Sequence, residues 1–155
     1  MIEIEIPGFK KLMIENIVFD YNGTLAIDGV PVDNSIEYLL ELNSKLNINV
    51  LTADTFKTAG KFIPKEFQLK ILNNKNQEIQ KSDFVKSLGK EKTIAVGNGF
   101  NDHIMLDTAV IGVAIIQKEG AAIQACNAAD LVYLNVVDFI QSLLNIKRLV
   151  ASLRR

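Results

Sequence analysis

The chain has 155 residues, a formal net charge of −1, one cysteine, one histidine and no tryptophan. A chain of this length makes one domain that buries roughly 70% of its unfolded surface, and its charge balance gives no reason to expect nucleic acid. A lone Cys126 excludes an internal disulfide and suits a reducing cytoplasm, a single His beside a single Cys argues against zinc, and no apolar run approaches the ~20 residues of a membrane span.

Ile2, Ile4 and Ile6 alternate with Glu3 and Glu5, and Pro7-Gly8 then marks a turn. Leu12 and Ile14 resume the alternation, so residues 2–14 read as a small hairpin. The acidic start is unlike a signal peptide. Residues 16–20 read as a buried strand that ends in Asp20. A helix follows at about 34–47, with Asn34 and Glu37 spaced as a capping box and Ile36, Leu39, Leu40 and Leu46 on one face.

A second strand runs from Ile48 to Leu51 and ends at Thr52. Asp54 is placed to cap a short helix over 55–62, which Pro64 stops. The pattern continues with strand 67–72, helix 80–88 closed by Gly89, and strand 92–96 leading into the loop Gly97–Asp102. Helix 101–109, strand 111–116, helix 119–128, strand 130–134 and helix 136–144 complete it. Cys126 falls in a helical pattern among alanines and reads as a packed thiol. Repeated βα units predict an α/β domain: a Rossmann-like three-layer sandwich around a mostly parallel sheet, with an N-terminal hairpin. Residues 16–140 form its core, and no segment between strands is long enough for an inserted cap domain. Over 145–155, Ile146, Leu149, Val150 and Leu153 share one face among Lys147, Arg148, Arg154 and Arg155, as in a terminal amphipathic helix docked on the core or on a neighbouring subunit.

Two polar strand ends stand out, Asp20 after Ile17-Val18-Phe19 and the loop Gly97-Asn98-Gly99-Phe100-Asn101-Asp102 after an apolar strand. Open α/β sheets bind ligands at the carboxyl ends of their strands, so the two junctions point to one site.

Phe19-Asp20-Tyr21-Asn22-Gly23-Thr24-Leu25 resembles the first motif of the haloacid dehalogenase-like phosphohydrolases. Leu51-Thr52-Ala53-Asp54 is similar to their second motif, Lys81-Ser82-Asp83-Phe84-Val85 to the segment that supplies their lysine, and Gly97–Asp102 to their fourth motif. Ile111-Gly112-Val113-Ala114 and Ala128-Ala129-Asp130-Leu131-Val132 resemble the phosphorylation domain of P-type ATPases, and the chain looks like the small soluble proteins related to that domain.

This resemblance implies a set of roles. Asp20 would be the nucleophile, forming an aspartyl-phosphate that water cleaves. Thr52 and Lys81 would bind the phosphoryl group with Asn22, Gly23 and Ala53. Asp20, the backbone carbonyl of Asn22 and the side chain of Asn98 would hold Mg²⁺, with Asn101 and Asp102 behind them. A lysine in the first turn of helix 80–88 would oppose the helix dipole, which suggests that something else holds Lys81 there. His103 reads as an incidental surface residue.

The chain departs from the family pattern at Asn22, where the general acid/base is an aspartate, and at Asn98, where a metal ligand is an aspartate. An amide carries no proton between leaving group and water, and it ligates a cation less strongly. The resemblance therefore implies a slow Mg²⁺-dependent phosphatase acting on a small phosphorylated substrate, with Asn22 among its catalytic positions beside Asp20, Thr52 and Lys81. The alternative is a silent phosphate- or metabolite-binding protein. An ATP-driven aspartyl kinase lacks an evident nucleotide-binding domain. Lidless relatives often assemble so that neighbours limit access. A homo-oligomer is therefore an open expectation, with the N-terminal hairpin or Arg154 and Arg155 reaching a neighbouring site.

Overall fold

The computed structural model describes residues 1–53 and 59–154. Six parallel strands form the central sheet in the order β10-β9-β8-β3-β6-β7. They are β3 (Asn16–Asp20), β6 (Asn47–Thr52), β7 (Gln68–Ile71), β8 (Thr93–Gly97), β9 (Ile111–Ile115) and β10 (Leu131–Tyr133). The four inner strands, β9, β8, β3 and β6, are buried along almost their whole length because helices cover both faces, as parallel sheets require.

The two faces of β3 separate cleanly. Ile17 and Phe19 enter one core with α1 (Ser35–Leu42), α6 (Val136–Leu144) and α7 (Ile146–Leu153). Val18 enters a second core with Phe84 and Val85 of α3 (Gln77–Leu88), Met105 and Leu106 of α4 (His103–Thr108), and Ala125 of α5 (Ile123–Ala128). Side chains two apart on a strand share a face, so Asp20 follows Val18 onto the α3 side. This alternation delivers the carboxylate to Lys81.

The predicted hairpin is present as β1 (Ile2–Glu5) and β2 (Lys11–Ile14), antiparallel, with Ile4 opposite Leu12. It sits at the amino end of the sheet, where Glu15 N–H donates to Lys92 O and Asn47 N–H donates to Glu15 O. The hairpin therefore stands at the opposite end from Asp20 and cannot shield its own chain's site. α7 packs against α6 and β1, with Leu149 fully buried.

Several boundaries shift. Asn34 takes a left-handed conformation (φ 64°) and its side chain makes no capping bond, so the capping box does not form. α1 stops at Leu42, and β6 begins at Asn47. α3 begins at Gln77, which places Lys81 beyond the first turn, and the helix dipole is no longer the issue at that position. The stretch 119–122 stays irregular because Gly120 is left-handed (φ 74°), so α5 starts only at Ile123. The short helix expected over 55–62 appears as α2 (Ala59–Phe62); its proposed cap Asp54 and residues 55–58 lie outside the described residues. Cys126 is half-buried, and Ala125 takes the core position beside it. Between β3 and α1 the chain forms an unforeseen two-stranded flap, β4 (Ala26–Ile27) and β5 (Val30–Pro31). It is the only element there among the described residues.

Candidate active site

Asp20, Thr52 and Gly97 are the last residues of three adjacent strands, β3, β6 and β8. Their common edge opens into a pocket of about 200 Å³ lined by Asp20, Asn22, Ala53, Gln77, Lys81, Asn98, Gly99 and Asn101. Thr52 is buried at the same edge, level with Ile71 of β7.

The floor is an ionic line. Lys81 Nζ donates to Asp20 Oδ1 and to Asp102 Oδ1, each at 2.6 Å. Lys81 and Asp102 are fully enclosed, and Asp20 is 8% exposed. What holds Lys81 inside the fold is this pair of carboxylates. Burial works against its charge, but the two carboxylates outweigh that and keep the ammonium above the ordinary lysine range. Two negative groups share one positive one, and Asp20 carries the excess. Burial pushes its carboxyl up to about 7, the charge of Asp102 adds to the rise, and Lys81 opposes it.

Asp102 is fixed from behind. A 3₁₀ turn over Phe100–Asp102 folds its carboxylate back, and Oδ2 accepts the N–H groups of Asn98 (2.9 Å) and Gly99 (2.7 Å). The carboxyl lies flat on Gly97, where a Cβ would stand 2.5 Å from it. Glycine is required there by that close approach. Asn101 Nδ2 donates to Gln77 Oε1 at 2.8 Å, and Gln77 lies one turn before Lys81 on the same helix face.

Asn98 is a clamp. Its Nδ2 donates to Gly120 O (3.0 Å), while Thr24 Oγ1 donates to its Oδ1 (3.1 Å). A carbonyl only accepts, so Gly120 fixes which way the amide faces. The amide also fills the space beside Gly23 (φ 81°), where a Cβ would stand 2.4 Å from Nδ2.

Asn22 projects into the same pocket, and its Oδ1 is buried with no hydrogen-bond partner among the described residues. His103 turns onto its own loop, with Nδ1 2.6 Å from Phe100 O. Thr24 and Gln77 bond to site residues but were not among the residues singled out in the sequence. Thr24 sits inside the first motif itself. Gln77 was legible as the residue one turn before Lys81, but the asparagine-rich stretch ahead of it reads as loop.

Among the described residues, no three His, Cys, Asp or Glu side chains gather to hold a metal ion. The oxygens at the pocket are one carboxylate, amide groups and backbone. This donor set suits a hard cation that keeps several waters, and the orphaned Asn22 oxygen leaves a place for a donor or a cation.

No protein-family model matches the chain. An uncharacterized protein of Methanocaldococcus jannaschii, MJ0073, is 36% identical over 83 residues, which is 51% of this chain and 89% of that protein. The cobalt-bound deoxy-D-mannose-octulosonate 8-phosphate phosphatase of Haemophilus influenzae shares the fold at TM-score 0.62 and 18% identity, over 85% of this chain and 88% of that one. The 3-deoxy-D-manno-octulosonate 8-phosphate phosphatase of Moraxella catarrhalis, solved with magnesium, phosphate and KDO, gives 0.60 and 17% identity, over 90% and 92%. A zinc-transporting PIB-type ATPase gives 0.60 and 20% identity, over 79% of this chain and 20% of that much longer one. Structural likeness at identities this low establishes a shared fold.

Proposed function

For a chain that belongs to the family of the Methanocaldococcus jannaschii protein and carries the haloacid dehalogenase-like fold, we propose a divalent-metal-dependent phosphohydrolase acting through an aspartyl-phosphate on Asp20. The observation that carries this reading is the ionic line of Asp20, Lys81 and Asp102 on the floor of a small polar pocket. A phosphomonoester or a related small phosphate compound is the substrate class.

In this reading, a carboxylate oxygen of Asp20 attacks phosphorus and the bond from phosphorus to the leaving oxygen breaks. Water then attacks the phosphoryl group on Asp20, which regenerates the carboxylate and releases inorganic phosphate. Lys81 would offset the negative charge that phosphate brings beside Asp20, and Thr52 and the backbone at Ala53 would line the phosphoryl position, whereas the Gly23 N–H is already given to Ala26 O. Asp20, Asn22 and Asn98 would hold Mg²⁺, with Asn101 and Asp102 supporting them. The ion would supply positive charge where the phosphoryl oxygens gather. Asn22 offers the leaving oxygen a hydrogen bond but no proton, so turnover is slow for alkoxide leaving groups.

A second reading, a phosphate- or metabolite-binding protein without turnover, is favoured by one feature. Both polar atoms of the Asn98 amide are already engaged within the protein. A phosphatase panel with Asp20→Asn and Asn22→Asp separates the two readings. The enzyme predicts activity lost in Asp20→Asn and raised in Asn22→Asp by on the order of 10² to 10⁴-fold on poor leaving groups. No turnover by any variant, together with tight phosphate binding, favours the binding protein.

A further inference from the structure

The loop after β9 bonds to the flap, to the Asn98 loop, to the turn after Asp20 and to the start of α6. Glu119 Oε1 accepts the N–H of Asp28 in the flap (2.8 Å). Gly120 O accepts from Asn98 Nδ2 (3.0 Å), and Ala122 N–H donates to Asn98 O (2.8 Å). Gln117 makes the remaining link. Its Nε2 donates to Thr24 O (2.7 Å) and Gly23 O (3.2 Å), the two carbonyls of the turn that follows Asp20. Its Oε1 faces the Val136 N–H at the start of α6 (3.4 Å).

We propose that Gln117 is a positioning residue of the Asp20 centre: it fixes the turn Asn22–Thr24 by supplying both hydrogens of one amide to two adjacent carbonyls. The inference rests on the phosphoryl-transfer reading for its functional consequence, while the brace itself rests on geometry alone. The turn has bonds of its own: Gly23 is left-handed and donates its N–H to Ala26 O (2.7 Å), and Tyr21 O accepts the N–H groups of Ala26 (2.8 Å) and Thr24 (3.4 Å). These bonds leave the carbonyls of Gly23 and Thr24 over, and Gln117 takes both. The amide has one orientation, because turning it over would set its oxygen against two carbonyl oxygens. Glutamate therefore cannot replace it, although a glutamate keeps the oxygen that faces Val136. That difference separates a brace on the turn from a simple anchor on α6.

The position of the residue also explains why it acts indirectly. Gln117 does not line the Asp20 pocket; it lines a separate groove of about 820 Å³ between the flap and the β10–α6 junction, with Asp28, Val30 and Leu134. It reaches the centre through the turn and not through the substrate.

The test compares wild type, Gln117→Glu and Gln117→Leu by three measurements on the full chain. These are amide hydrogen exchange at Gly23 and Ala26, calorimetric titration with beryllofluoride and Mg²⁺, and thermal melting. Loss of two hydrogen bonds to the turn is expected to speed exchange at Gly23 and Ala26 by on the order of tenfold in both variants, and to weaken beryllofluoride binding by a similar factor. Gln117→Glu loses both hydrogen bonds to the turn and should melt below wild type, with the faster exchange confined to the turn. Wild-type exchange and binding in Gln117→Glu would overturn the proposal, since the oxygen facing Val136 would then be enough. Faster exchange throughout the chain, in step with a lowered melting temperature, would overturn it too, as general destabilisation. If wild type takes no beryllofluoride while exchange at the turn still rises in Gln117→Glu, the brace stands and the phosphoryl-transfer reading falls.

Discussion

Lys81 Nζ stands 2.6 Å from Asp20 Oδ1 at the buried floor of the pocket, and the same ammonium stands 2.6 Å from Asp102. Removing the lysine would leave two buried carboxylates facing each other without compensation. Lys81→Met is predicted to cost about 3–5 kcal/mol of stability, as breaking a buried ion pair does. Adding Asp20→Asn should return part of that loss, because the two residues share one network. Urea denaturation of the single and double variants measures it. Strictly additive effects of the two substitutions would mean that the pair does not interact.

The raised carboxyl of Asp20 gives stability a definite pH dependence. Its value in the fold is about 7, against 3.8 for a free aspartate, so the folded state holds an extra proton between those limits. Stability of the metal-free protein therefore falls as pH rises from about 4 to about 7. Asp20→Asn removes this cost. It should be more stable than wild type at pH 8, by on the order of 1–3 kcal/mol, and the gain should vanish near pH 4. Thermal melts in a chelating buffer across this range test it. A gain that grows toward low pH would contradict the assignment.

Asn98 carries two demands that an aspartate would split. Asn98→Asp adds a negative charge for a cation, but it turns a carboxylate oxygen toward the Gly120 carbonyl, which can only accept. Without Mg²⁺ the variant should lose about 1–3 kcal/mol through the unmatched pair of acceptors. Millimolar Mg²⁺ should restore more stability to the variant than it gives wild type. Melting curves with and without the ion decide this, and equal Mg²⁺ shifts in both proteins would remove Asn98 from the proposed cation shell.

Asn22-Gly23 and Asn98-Gly99 are sequences prone to deamidation, in which the glycine nitrogen attacks the asparagine side chain. In the fold both nitrogens are engaged: Gly23 N–H donates to Ala26 O and Gly99 N–H to Asp102 Oδ2, each at 2.7 Å. Native protein should therefore deamidate at these positions much more slowly than the same chain in urea. Peptide mass spectrometry over a time course reads this directly. Equal rates in both conditions would show that these turns open freely.

The strand-helix alternation, the parallel sheet and the hairpin were legible because each strand is a short apolar run bounded by turn residues. The clustering of Asp20, Thr52 and Asn98 followed from the same pattern, since each residue ends or follows a strand. The flap escaped because its strands are two residues each, too short for any periodicity. Lys81 was placed by its sequence neighbourhood as the cation that offsets Asp20, but its second partner was not legible: only the fold brings Asp102 to the same ammonium. Gln117 was invisible for a related reason. Its partners are backbone carbonyls 93 and 94 residues away, and backbone leaves no mark in a side-chain pattern.

The central claim is that Asp20 takes a phosphoryl group. Acetyl phosphate labelled on phosphorus is a direct probe, since its leaving acetate needs no proton from Asn22. After incubation with Mg²⁺ and acid quenching, peptide mapping should find the label, base-labile, on the peptide that holds Asp20. Label should be absent in Asp20→Asn and in reactions with chelator. Incorporation that survives Asp20→Asn, or no incorporation by wild type at millimolar acetyl phosphate and Mg²⁺, would contradict the account.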